Sequence, residues 1–112
     1  MGDYVWFNRG GLAILTNGVH PVGLKKPNGL GLYDMCGNVT EYVSDWYDDK
    51  YYANSTKDNP RGPNTGSDKV IRGGSYDKYY MQTRTTCRDR ISKSSISSIG
   101  GENGFRLVME AK

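Results

Sequence analysis

A chain that catalyses through a thiol, an imidazole or a soft metal must bring such groups together, and this one holds two cysteines, Cys36 and Cys87, and one histidine, His20. The cysteines are far apart in sequence, so neither has the neighbouring thiol that a soft two-thiolate metal site needs. One disulfide is within their reach but a disulfide framework is not. Reduced, half-buried thiols that pack as small hydrophobes are the expectation. His20 lies between Val19 and Pro21 with no serine or cysteine nucleophile nearby in sequence, so a triad would have to be assembled in space and a structural role is expected. Gly29-x-Gly31 lacks the third glycine and the preceding strand of a dinucleotide loop.

Recognition chemistry is better represented. From Tyr76 to Glu102 the chain is rich in Tyr, Ser, Thr and Arg, with five serines between Ser92 and Ser98. Tyrosine offers rigid contact area at low entropic cost and serine offers adaptable hydrogen bonds, as in antibody loops. The nearest approach to a basic stripe is Arg84, Arg88, Arg90 and Lys93, diluted by Asp77, Asp89 and Glu102, and the net charge is only +3. A nucleic-acid partner is not expected from that distribution. Arg106 sits within the apolar run Phe105 to Met109. Its planar fork is costly to bury unless it meets a carboxylate or carbonyls, and Asp34 or Asp45 is the expected partner.

The elements that must position these groups are short. A hydrophobic fraction of 36%, 15 glycines and 9 tyrosines among 112 residues argue for one loop-rich α+β or mostly β domain over residues 1–112 and against a helix bundle. Tyr4 to Phe7 suits a strand, Leu12 to Leu15 is a second apolar run, and Leu30 to Met35 has room for a helical turn or two before Gly37. Val39 to Tyr47 alternates as a strand, with Thr40, Tyr42, Ser44 and Trp46 on one face. Residues 48–69 read as a long polar loop, Val70 to Arg72 as a brief strand closed by Gly73-Gly74, and Gly104 to Met109 as a terminal strand. Residues 77–102 show no sustained helical period. No apolar run reaches the length of a membrane span. Met1-Gly2-Asp3-Tyr4 lacks a leader's basic and apolar regions. Localisation is otherwise open, with display on a virion or cell surface among the expectations.

Three ordered segments carry a resemblance. Pro27-Asn28-Gly29-Leu30-Gly31-Leu32-Tyr33-Asp34-Met35-Cys36-Gly37-Asn38-Val39-Thr40-Glu41-Tyr42, then Arg72-Gly73-Gly74-Ser75-Tyr76, then Gly104-Phe105-Arg106 resemble signatures of the formylglycine-generating-enzyme, or sulfatase-modifying-factor, family. The resemblance runs from about residue 4 to 110. It implies a minimal C-type lectin fold of short strands, one or two short helices and much irregular loop, similar to the C-terminal half of the family's domain. The enzymes carry a copper-binding cysteine pair just after the second signature. The corresponding stretch here, Asp77 to Thr83, has no cysteine, so neither copper nor an oxidase activity is expected. The resemblance also implies calcium as a cofactor to test, held by Asn38, the Val39 carbonyl and Glu41. These supply about three of the six to eight oxygens calcium takes.

Within that fold the chain is similar in use to the variable proteins of diversity-generating retroelements, which display a diversified surface. The expected function is therefore non-catalytic binding of a protein or carbohydrate on a target surface. The contacts would come from Tyr76, Asp77, Tyr79, Tyr80, Thr83, Arg84, Thr86, Arg88, Arg90, Ser92, Ser94, Ser95 and Ser97. The alternatives are a formylglycine-generating-type oxidase and a calcium-dependent carbohydrate-binding module. A homo-oligomer that completes its sheet between subunits is a further expectation.

Overall fold

The alternating run after Gly37 forms β1, Thr40–Trp46, and it is the centre of the molecule. The structure is a computed structural model that describes residues 2–8, 18–98 and 102–110. β1 pairs antiparallel with β2, Asp68–Arg72, and parallel with the two-residue β4, Asn103–Gly104. β2 pairs antiparallel on its other edge with β3, Arg88–Ser92, giving a sheet of order β3-β2-β1-β4. Glu41 faces Arg72 and Tyr42 faces Ile71, but the register slips before Trp46 meets Lys69. That irregularity interrupts the simple alternation expected along β1. A short helix α1, Tyr51–Asn54, and two 3-10 turns, Tyr80–Thr83 and Lys93–Ser98, complete the regular structure.

Among the described residues the buried hydrophobic side chains are Val5, Val70 and Ile71, accompanied by the buried polar residues Asn38, Thr40, Ser75 and Thr83. The two valine and isoleucine positions on β2 are where a β-branched pair fits a pleated, covered surface. The α+β class and the strands around residues 39–47 and 70–72 agree with the sequence reading.

Several expectations are corrected. Leu30 to Met35 forms no helix, because Gly31 and Asp34 adopt φ of +77° and +53°. Asn28 takes over instead: its side-chain carbonyl accepts from the Leu30 and Leu32 amides at 2.9 and 3.0 Å, the local competition with helix that Asn offers. The terminal strand stops at Gly104, and Leu107, Val108 and Met109 are 86–92% exposed. Tyr4 to Phe7 contributes only a single bridge, Trp6 to Gly37. The polar loop 48–69 contains α1 and the start of β2, and residues 77–102 contain β3 and both 3-10 turns. The Leu12 to Leu15 run lies outside the described residues.

Candidate functional site

The site is built on a knot of glycines and buried polar groups. Gly37 has φ +76°, and its amide donates to the Gly73 carbonyl at 2.7 Å while the next amide, Asn38, donates to the Trp6 carbonyl at 3.0 Å. Asn38, 2% exposed, also clasps His20: its Oδ1 accepts from the His20 amide at 2.9 Å, and its Nδ2 donates to the His20 carbonyl at 3.0 Å. The His20 ring stacks on Trp6 with centroids 3.6 Å apart, and the Lys25 ammonium lies 3.8 Å from a Trp6 ring centroid. His20 is thus a packing residue here, as its sequence neighbours suggested.

The polar segment that follows is tied down at both ends and left open between. Tyr76 donates its amide to the Asn38 carbonyl at 2.8 Å, and the Lys78 carbonyl accepts from Asn8 at 2.9 Å. Gly74, at φ +65°, lies against the first 3-10 turn so closely that a β-carbon would stand 2.9 Å from the Gln82 carbonyl oxygen and 3.0 Å from the Thr83 methyl. Farther on, β3 locks the chain to β2, and Lys93 donates to the Ser67 carbonyl at 3.2 Å.

Of the residues expected to contact a ligand, Asp77, Tyr79, Tyr80, Arg84, Thr86, Arg90, Ser94 and Ser95 are exposed, while Tyr76, Arg88 and Ser92 are half-buried. Thr83 is a correction. It is wholly buried, with its hydroxyl donating to the Tyr80 carbonyl at 2.8 Å, because it fills the space that Gly74 leaves. Ser97 lies in the second 3-10 turn, and its side chain is outside the described set.

Arginine and tyrosine organise the face beside this segment, which sequence reasoning did not anticipate. Arg88 stands over Tyr47 and Tyr52, 4.7 and 4.3 Å from their centroids, and donates to the Asp48 carbonyl at 2.8 Å. Arg72, its partner across β2 and β3, donates to the Cys87 carbonyl at 2.8 Å and to the Tyr52 hydroxyl at 3.1 Å. Arg90 lies 5.2 Å from Tyr47 and pairs with Asp68 at 3.6 Å. Such stacking holds a guanidinium in place without a buried carboxylate. A cleft of 280 Å³ opens here, lined by Gly74, Lys78, Gln82, Arg88 and Arg90 among others. The sequence signal for this cluster was the Tyr47, Tyr51, Tyr52 group, which only long-range pairing brings to Arg88.

Arg106 finds its carboxylate in Glu41, with a two-pronged contact to both oxygens, and not in Asp34 or Asp45 as expected. The remaining donors reach the carbonyls of Tyr33 and Asp34 at 3.1 Å each. The Glu41 hydrogen bond, ahead of the opposing effect of burial, raises the Arg106 pKa, so the guanidinium stays charged. The parallel pairing of Glu41 with Gly104 places the two side chains together. This use of Glu41, with the Asn38 amide spent on His20, does not fit a calcium ion drawing on the same oxygens. No group of three or more His, Cys, Asp or Glu placed to hold a metal occurs among the described residues. Cys36 and Cys87 are free thiols, both half-buried, and burial first, then the Glu41 charge, pushes the Cys36 thiol pKa up. A raised pKa keeps the sulfur protonated and a poor nucleophile.

No helix among the described residues is long and apolar enough to cross a membrane. The chain matches the Sulfatase-modifying factor enzyme 1-like domain over residues 5–111. It is 43% identical over 94 residues to the formylglycine-generating enzyme of Streptomyces coelicolor, covering 81% of this chain and 29% of that relative. Among solved structures it is similar to Treponema denticola variable protein 1, with TM-score 0.76 and 32% identity over 93% of this chain and 35% of that one. PvdO from Pseudomonas aeruginosa superposes with TM-score 0.69 and 26% identity, over 84% of this chain and 35% of its own. The chain therefore spans about a third of the length of these proteins or less. Its mixed sheet with few helices is a minimal C-type-lectin-like fold, and the chain belongs to the sulfatase-modifying-factor family, the formylglycine-generating-enzyme branch of that fold.

Proposed function

We propose that this protein binds a ligand without transforming it, presenting the exposed residues of the 77–95 stretch from a rigid lectin-type body. The observation that supports this most directly is the contrast within one 3-10 turn: Tyr80 and Met81 are each 54% exposed while Thr83 beneath them is wholly buried. An anchored backbone with outward tyrosine and arginine side chains is what recognition by preorganised contacts needs. The likeness to Treponema denticola variable protein 1 supports the same use. Family membership favours a second reading, an oxidase of the formylglycine-generating type. Against it stand the Asp77 to Thr83 stretch, which has no cysteine, and a Cys36 thiol whose pKa is raised by burial.

Arrays of surface proteins and glycans, probed with the wild-type chain and with a Tyr79→Ala/Tyr80→Ala/Arg84→Ala variant, test the proposal. We expect wild-type hits that the variant loses while its far-UV circular dichroism is unchanged, and that persist in chelator, because Glu41 is committed to Arg106. Hits that the variant keeps would place recognition elsewhere. Conversion of a peptide cysteine to an aldehyde, seen by mass spectrometry, would replace this reading with the enzymatic one.

A further inference from the structure

Two arginines that face each other across β2 and β3 lack a counter-charge. Arg72 and Arg88 are direct cross-strand partners and both are half-buried; like charges placed in this way oppose the pairing. Their guanidinium groups converge on one side chain. Arg72 donates to the Tyr52 hydroxyl at 3.1 Å, and Arg88 stands 4.3 Å from the Tyr52 ring centroid. On its other edge Arg72 is paired with Glu41, the carboxylate that could answer it, but both Glu41 oxygens are held by Arg106. Arg90, by contrast, has Asp68 at 3.6 Å. Among the described residues neither Arg72 nor Arg88 has a carboxylate at ion-pair distance. Their hydrogen-bond acceptors are the Cys87 and Asp48 carbonyls and the Tyr52 hydroxyl. A guanidinium carries more N–H donors than these bonds use.

Both arginines line a cavity of 250 Å³, together with Asp45, Tyr51, Tyr52 and Ser55. That volume is below the roughly 300–1,000 Å³ of sites for drug-sized ligands, and it leaves room for one ring and its substituents. The wall is held in advance of any ligand, since the Tyr51 hydroxyl accepts from the Gly62 amide at 3.0 Å and ties the following loop to α1. Asp45 is half-buried. Its Oδ1 accepts from the Ser44 hydroxyl at 3.3 Å, while Oδ2 accepts from nothing among the described residues. A carboxylate in this position repels a densely charged anion such as phosphate, yet it can accept from a ligand hydroxyl. The tyrosine rings offer apolar cover to the C–H face of a small ring.

We propose that this cavity binds a sugar acid. Arg72 and Arg88 take its carboxylate, for which a planar fork of donors is suited. Asp45 accepts from a ring hydroxyl, and Tyr51 and Tyr52 bound the ring. The inference stands apart from the ligand reading above, because none of the exposed residues of the 77–95 stretch lines this cavity.

Glucuronate, glucose and sulfate, each titrated into the 112-residue chain at constant ionic strength and followed by backbone amide shifts, test the proposal. We expect glucuronate to saturate shifts at residues around the cavity, with glucose and sulfate each bound about tenfold more weakly or worse. Arg72→Gln, checked for folding by far-UV circular dichroism, should weaken glucuronate by about tenfold or more. Asp45→Ala gives a second readout that does not depend on Arg72. It should weaken glucuronate about threefold or more and strengthen sulfate, because it removes both the hydroxyl acceptor and a negative charge. Absence of saturable glucuronate shifts, glucose or sulfate binding as tightly as glucuronate, or a folded Arg72→Gln chain with wild-type affinity would each overturn the proposal. An Asp45→Ala chain in which glucuronate and sulfate change alike would overturn it too.

Discussion

At Gly37 a β-carbon would sit 2.1 Å from the Trp6 carbonyl oxygen, in a backbone with φ +76°. Both the clash and the left-handed geometry oppose any other residue. Gly37→Ala should therefore lose about 2 kcal/mol or more, read as a lower urea midpoint with an unchanged slope. Glu41 is a different kind of constraint, because it answers the charge of Arg106 across the β1–β4 pairing. Solvent reaches 34% of the Arg106 side chain, so Glu41→Gln is expected to cost only about 1–2 kcal/mol. The Cys36 thiol carries a pH signature. Its folded pKa is raised by burial and by the Glu41 charge, so it favours the fold fully below the unfolded thiol pKa. That contribution is lost as pH rises through the folded value. Alkylation of Cys36 at pH 8, followed by mass spectrometry, should be slower than that of a thiol in an unstructured peptide, and Glu41→Gln should speed it.

The segment between Ser75 and β3 shows what an element's sequence can and cannot say. Its composition led to the expectation of recognition, and eight of the thirteen expected contact residues are exposed. Its backbone was not legible, because Arg88-Asp89-Arg90-Ile91-Ser92 has one apolar residue and becomes a strand only by pairing with β2. Thr83 was misjudged for the same reason: a threonine among polar neighbours gives no local sign of the Gly74 corner above it. The opposite error occurred at residues 30–35 and 105–109, where apolar residues suggested a helix and a strand. Asn28 and the positive φ values prevent the first, and the second leaves β1 after only two paired positions, Asn103 and Gly104. By contrast β1 and β2 were legible, since the alternation of β1 and the β-branched Val70-Ile71 pair of β2 are local properties. The displayed turn yields its own prediction. Tyr80→Ala and Met81→Ala should each shift stability by less than about 0.5 kcal/mol, whereas Thr83→Ala, at a wholly buried site, should cost about 1–3 kcal/mol. Thermal melts of the three variants decide whether the turn is a platform or part of the core.

For the molecule as a whole, the heat capacity of unfolding reports how much apolar surface the fold removes from water. Apolar exposure raises that quantity and polar exposure lowers it, giving about 1.3–1.7 kcal/mol/K for an ordinary domain of this length. Here the described hydrophobic core is Val5, Val70 and Ile71, and polar side chains such as Asn38, Ser75 and Thr83 fill much of the interior. Folding the isolated chain thus removes less apolar area, and relatively more polar area, than usual. Differential scanning calorimetry should return a value below that range, with an unfolding temperature independent of protein concentration. An ordinary heat capacity with no concentration dependence would mean that the apolar stretches around residues 30–35 and 105–109 are covered within a single chain. An ordinary value whose transition rises with concentration would mean that a second copy covers them.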